Sequence, residues 1–535
     1  MRSVSKYLML VLVCGFSFLQ LAAQCPQRPP LASVVQDPLA LASTNGTLTA
    51  ELTMRRTVDT GGYTHYCYNY ATANGDIEAP TFRLNPGDTL QLGVKNRIVS
   101  DGKETSKERA LMQMMLKHHM PETPVADICG DTGAMTIDST NVHYHGMNVP
   151  PTCHSDEVVK TLIQPGTDGF RYQIHVPANE PPGLYWYHPH VHGFTEYQVN
   201  GGAAGAIVVE GMEKVHPEVT GLTERVLILR QQFLVPWIPG PYQLTLNYVV
   251  AAAPTFPSPV MQMKPGEKQF WRVANATNQD FMPLQVQFDG VPQQLQLIAL
   301  DGYPVTGTRF TDTILLPPAG RAEFIVQAPP DGNTFATFQT LDYSTGPTGN
   351  PDAAQILANI QVGTGSDTKF TKTPLSNVAA NRAIKFSGLK SAAVTANRDL
   401  YFSEEFGGTG GPIQFYLTVK GQKQQIFDPE EKPVIVTKVG AVEDWVVENH
   451  ALETHAFHIH QIHFLLMEVD GKPVTNQDLR DTIEIPFWEG PGHPYHSVKM
   501  RMDFRDPETA GTSLIHCHIL LHEDLGMMHK ILVMP

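Results

Sequence analysis

The chain has 535 residues, more than a single hydrophobic core organises, so length alone implies roughly two to four domains. Lysine and arginine number 38 against 53 aspartate and glutamate, and the formal charge of −15 repels polyanions and excludes nucleic acid as a partner. Glycine (43) and proline (42) are abundant and short alternating apolar runs are bounded by turn residues, which predicts an all-β chain built of sandwiches.

In chain order, the first element is a leader. Arg2 and Lys6 precede an apolar run from Tyr7 to Leu21 and an Ala22-Ala23-Gln24 exit, the charge, length and ending of a secretory signal spanning 1–23. The expected product is secreted or periplasmic. The run is short for a bilayer span and no second one follows, so no membrane span is expected. Gln24 before Cys25 argues against lipid attachment. Of the six cysteines, Cys14 lies in the leader and Cys517 in a C-terminal motif. Cys25, Cys67, Cys129 and Cys153 all fall in the first third, where an oxidising compartment allows one or two disulfides, with three complete pairings open.

An internal repeat gives the organisation. Pro80 to Asp88 leads to Asn96, Pro259 to Glu267 leads to Asn275, and Pro433 to Gly440 leads to Asn449, with the same offsets each time. Each copy reads as an alternating strand, a Pro-Gly or Val-Gly turn and a second alternating strand. Copies recur at roughly 175 residues, about one sandwich with generous loops. Three domains follow, 24–211, 212–366 and 367–535, parted where Gly, Thr and Ser accumulate without periodicity. Ser106 to Met120 reads as a helical insertion in the first domain. Its Met112, Met114, Met115, Met120, His118 and His119 offer soft ligands, although methionines at helical spacing more often pack a core.

The 22 histidines matter through their grouping. His143-Tyr-His145 and His188-Pro-His190 end the first copy; His455-Ala-Phe-His458-Ile-His460 and His516-Cys517-His518, followed by His522, Glu523 and Met527, lie in the third. The middle copy has no such cluster. On a strand, residues two apart project from one face, so each His-x-His can serve one metal or two adjacent ones. A thiolate, two imidazoles and a distant thioether form the ligand set of an electron-transfer copper site, and Cys517, His455, His522 and Met527 supply it. In His516-Cys517-His518 the cysteine faces opposite to its neighbours, so one strand can address one copper on one side and a copper pair on the other. His175, His216 and His529 stand alone and are expected at the surface or in packing.

These clusters, in this order, resemble the multicopper oxidase family of laccases, bilirubin oxidases, ferroxidases and cuprous oxidases. The resemblance implies three cupredoxin-like Greek-key β-sandwiches and four copper ions, one type 1, one type 2 and a type 3 pair. It places type 1 copper on His455, Cys517 and His522 with Met527 axial, and type 2 copper on His143 and His458. The type 3 pair would take His145, His188 and His518 on one side and His190, His460 and His516 on the other. Ala456 stands where many members have proline, and Gln461-Ile462 replaces a common Gly-His. His192 and His463 lie beside the ligands but off the family pattern, and are expected to support them.

The implied reaction passes single electrons from a reducing substrate to dioxygen, the second partner, which becomes water. Met527 suggests modest oxidising power. Glu523 matches the acid that bacterial members place near dioxygen, and Asp156 is the second expected acid, with Glu157 competing for its role. The expected donor is a phenol or related aromatic, as for a laccase; a cuprous or ferrous ion is the alternative, and a copper-binding scaffold with little turnover is a third reading. Oligomeric state is not legible in the sequence.

Overall fold

The computed structural model describes residues 24–58, 64–99, 129–232, 242–251, 257–331, 334–363, 385–406 and 413–535. The leader, the Met/His segment at 106–120 and the expected boundary at 366/367 lie outside the described residues.

The expectation of an all-β chain holds, because strands dominate and pair into three consecutive two-sheet sandwiches. Strands of the first run from Ala40–Ala42 to Gly205–Val209 in two five-stranded sheets. Seven-stranded and six-stranded sheets make the second, from Thr223–Gln232 to Gln355–Val362, and a larger and a five-stranded sheet make the third, from Ala396–Phe406 to Met528–Met534. Non-consecutive strands are neighbours throughout, as Greek-key crossovers require.

Alternation drives each sandwich shut. Leu90, Leu92 and Val94 are buried, and in parallel register they meet Leu48, Ala50 and Leu52. The same parallel pairing recurs between Leu227 and Val273 and between Leu400 and Val447. Each sandwich has its own core, around Phe82 and Tyr187 in the first, Trp271 and Phe338 in the second, and Trp445 and Phe457 in the third. Burying such side chains is worth about 1.5–3 kcal/mol apiece.

The repeat also carries a polar device. Asn96, Asn275 and Asn449 are fully buried, and each closes the strand that ends in it. Asn96 Nδ2 donates to the carbonyls of Asp138 and Ile163 while its Oδ1 accepts from the Ile98 amide. Asn275 grips Asp280, Leu316 and Pro317 and accepts from Thr277. Asn449 grips Glu453, Ile485 and Pro486 and accepts from Ala451. A short amide fixed at both ends satisfies loop backbone that would otherwise be buried without partners, which explains why the repeat retains it.

Two disulfides, Cys25–Cys67 and Cys129–Cys153, resolve the pairing that the sequence left open. Cys517 is the free, buried cysteine among the described residues. No helix among the described residues is long and apolar enough to cross a membrane.

Candidate metal centre

The histidine motifs lie on short strands where the first and third sandwiches meet. His143–His145 is an edge strand antiparallel to Gly183–His188, with His143 opposite His188. In the third sandwich His455–Ile459 runs antiparallel to Gly511–Cys517, with His458 opposite His516 and Phe457 opposite Cys517. Across the interface His143 stacks on His460 and His145 on His458, both with ring centroids 4.0 Å apart and planes within 15°. The two His-x-His strands therefore face each other.

Ligand atoms gather into groups within 4.8 Å of one another: His145, His188 and His518; His190, His460 and His516; His143, His145 and His458; and His455, Cys517 and His522. Both expected type 3 triads, the expected type 2 pair and the expected type 1 trio are each brought together. In the last group Cys517 Sγ is 3.5 Å from His455 Nδ1 and 3.8 Å from His522 Nδ1, and those two nitrogens are 3.3 Å apart. Met527 is buried beside them, tied by its amide to the His522 carbonyl and by its carbonyl to the Cys517 amide. Cys517 packs in the apolar core of the third sandwich while His516 and His518 face the other histidines, the alternation expected of a strand.

These residues fit metal ions. Burial and the neighbouring imidazoles push His143, His145, His190, His458, His460 and His518 well below the ordinary histidine range. Burial lowers His188 to about 3 and His516 to about 4. The rings are neutral and their lone pairs free. Nε2 of His143, His188, His190 and His458 is buried without a hydrogen-bond partner, which costs folding free energy unless a cation occupies the space between them. Burial raises the Cys517 thiol in the metal-free chain, and a bound metal would reverse that by taking the thiolate.

Supporting groups surround the cluster. His143 Nδ1 donates to Asp156, whose two oxygens lie 3.0 Å away, and Asp156 also accepts from the Tyr144 amide and from Gln461 Nε2. Glu157 turns to the Lys160 amide and Thr161 Oγ1, so of the two competing acids Asp156 is the one touching a histidine of the cluster. Glu523 is fully buried, with Oε2 3.2 Å from His516 Nδ1 and Oε1 3.5 Å from His190 Nε2. His463 donates to the Asp301 carbonyl and lies 3.6 Å from Asp481; His192 packs edge-on against Phe427. His175 is exposed, His216 bonds the Val305 carbonyl, and His529 pairs with Glu431, all apart from the cluster.

Three features carried no sequence signal. Asp481 sits 3.4 Å from His145 Nε2 and 3.7 Å from His458 Nδ1, held by both terminal nitrogens of Arg321, a buried residue of the middle sandwich. A Cβ at Gly146, whose φ is +83°, would collide with that pair, so glycine is required after His145. On the far side, the outward Nε2 atoms of His455 and His522 meet Glu404 at 3.5 Å and Glu453 at 3.7 Å. A lone Asp or Glu in a strand or loop resembles any surface acid until folding sets its neighbours.

A thiol flanked by two imidazoles, set beside a cage of eight more, defines a copper-binding redox protein. Three models described as multicopper oxidase match residues 135–214, 232–364 and 408–535, together more than half of the chain, and the chain belongs to that family. Its members are copper-dependent oxidoreductases that use dioxygen and a reductant, and this chain is such an enzyme. Among curated relatives, multicopper oxidase mco of Staphylococcus aureus is 24% identical over 476 residues, covering 86% of this chain and 83% of its own. The Staphylococcus haemolyticus protein is 24% identical over 411 residues, covering 74% and 77%. The fold is shared with a Campylobacter jejuni multicopper oxidase described as a metallo-oxidase (TM-score 0.65, 22% identity, 95% of this chain and 96% of that one). It is also shared with a laccase-like enzyme of Ochrobactrum sp. with activity towards lignin model compounds (TM-score 0.61, 18% identity, 94% and 100%).

Proposed function

We propose that the enzyme holds four coppers, type 1 on His455, Cys517, His522 and Met527 and the other three among His143, His145, His188, His190, His458, His460, His516 and His518. The observation that carries this is the convergence of all four motifs into groups of the right composition at one interface. Bound there, copper would supply one-electron oxidation of the donor at the type 1 ligands and reduction of dioxygen by four electrons and four protons to two waters at the other eight histidines. The protein supplies the rest. Asp156 fixes the ring of His143 through Nδ1, which leaves Nε2 for the metal. Glu523 holds a proton at Oε1 or Oε2, both without a hydrogen-bond partner and both against cluster histidines. The His516-Cys517-His518 backbone joins the two sites covalently.

For the electron donor, the carboxylates against His455 and His522 support a metal cation more than a phenol. Glu404 and Glu453 place hard oxygen donors at the two outward ring nitrogens; burial, then Glu404, then Asp352 of the middle sandwich push the Glu453 carboxyl up to about 8, so the pair keeps a proton that an arriving cation would displace. Carboxylates suit ferrous or manganous ions better than cuprous. Each ion would lose one electron, four per dioxygen. The phenol expected from the sequence stands as a second reading, favoured by Phe415 stacked on His522 and Phe402 against His455. The leader and two disulfides in the first third support a secreted or periplasmic location.

The test is copper loading followed by metal analysis, absorbance and oxygen uptake. Four coppers per chain, an intense blue thiolate band and oxygen consumption are expected; a loaded, colourless protein without oxygen uptake refutes the proposal. Parallel rates with ferrous ion and a methoxyphenol decide the donor, and Glu404→Gln with Glu453→Gln should depress the ferrous rate more than the phenol rate. Glu523→Gln should slow oxygen reduction while the type 1 site still reduces.

A further inference from the structure

Gln461 follows His460 with a φ of +63°, a left-handed conformation that favours glycine and that a long side chain adopts only under constraint from its surroundings. The residue is 4% exposed, and its side chain does two things. Its Nε2 donates to Asp156 Oδ2 at 2.8 Å, and Asp156 in turn accepts from His143 Nδ1. Gln461 also lines a cavity of about 340 Å³ formed by Asn148, Lys385, Arg505, Asp506 and Thr509, among others. One amide therefore lies between this cavity and the acid that orients a cluster histidine. Its Oε1 is buried with no hydrogen-bond partner, an unusual cost for a residue that merely fills space.

We propose that Gln461 is a positioning residue and a barrier: it holds Asp156 on His143 and closes the cavity floor, limiting access of small solutes to the expected type 2 site. This rests on the copper assignment of His143 proposed above. The hydrogen bond and the barrier are separable, because methionine matches glutamine in length without donating, and glycine removes both.

The experiment compares parent, Gln461→Met and Gln461→Gly after copper loading, reading copper content, the electron paramagnetic resonance signal of type 2 copper, and azide affinity, with melting of the metal-free proteins as the control for folding. Both variants are expected to shift the type 2 hyperfine splitting, as loss of the hold on Asp156 requires. Gln461→Gly alone is expected to bind azide at least tenfold tighter, and to melt no lower than the parent, since glycine relieves the left-handed backbone. Full copper content with parental hyperfine splitting and azide affinity in Gln461→Gly overturns the proposal, as does a hyperfine shift in neither variant. A parent that takes up no copper instead overturns the copper assignment itself, so the two failures are distinguishable.

Discussion

Arg321→Met isolates the contribution of the middle sandwich, which carries none of the paired-histidine motifs. Arg321 is wholly buried; Nη1 and Nη2 contact Asp481 at 2.7 and 2.5 Å, and the guanidinium also donates to the carbonyls of Leu184, Ala319 and Asp301. Methionine leaves Asp481 buried without its counterion, at a cost of about 3–5 kcal/mol. Replacing a buried ion pair as a whole is far less costly than breaking it, so Arg321→Met/Asp481→Asn should recover at least half of the loss. For a cooperative unit the size of one sandwich, about 4 kcal/mol lowers melting by about 8–16 °C. The assay is differential scanning calorimetry of the metal-free single and double variants beside the parent, which separates folding from copper uptake. A single variant within about 1 kcal/mol of the parent, or a double variant no more stable than the single, refutes the reasoning.

Three further outcomes follow from the structure. Asn275→Ala and Asn449→Ala each strand several buried carbonyls and should cost about 2–3 kcal/mol in urea melts, but only Asn449→Ala should alter the blue band of the loaded protein, because Asn449 fixes the loop before His455. Burial raises the carboxyl of Glu180 to about 7 against Lys385 and the Asn148 hydrogen bonds, so the folded chain holds this proton more tightly than the unfolded one. Stability from this group is full below pH about 4.5 and is lost as pH climbs through 7, by about 3 kcal/mol at most; Glu180→Gln should therefore exceed the parent in stability at pH 8 by more than at pH 5, and equal differences at both would contradict the shift. Cys129→Ser/Cys153→Ser opens a loop spanning 24 residues and should cost about 3.5 kcal/mol by chain entropy, read as a lower urea midpoint; an unchanged midpoint would show that the bridge does not constrain the unfolded chain.

The histidine motifs were legible because copper chemistry prescribes both residue type and strand spacing, and few other demands place His516-Cys517-His518 on one strand. The three sandwiches were legible from an offset repeated at Asn96, Asn275 and Asn449. Asp481 and Arg321 were not, since their contact spans 160 residues of sequence and depends on how separate sandwiches dock. Asp156 could be proposed but not separated from Glu157 until hydrogen bonds showed which one faces His143. Glu404 and Glu453 stayed hidden for the same reason: they belong to different segments and come together only at the ring edges of His455 and His522.

The buried asparagine that closes each repeat sets a boundary between frame and variable part. In the middle sandwich it clamps a loop with no chemistry in it; in the third, the same clamp on Glu453, Ile485 and Pro486 carries the loop that bears Glu453 and leads into His455. The clamp grips main-chain carbonyls and leaves the Glu453 side chain unconstrained by it, while Thr454, fully buried, adds its own tie by accepting from the Phe487 amide. The histidine cage is thus mounted on main chain that the asparagine holds by its carbonyls, independently of the side chains the same loop presents beside His522.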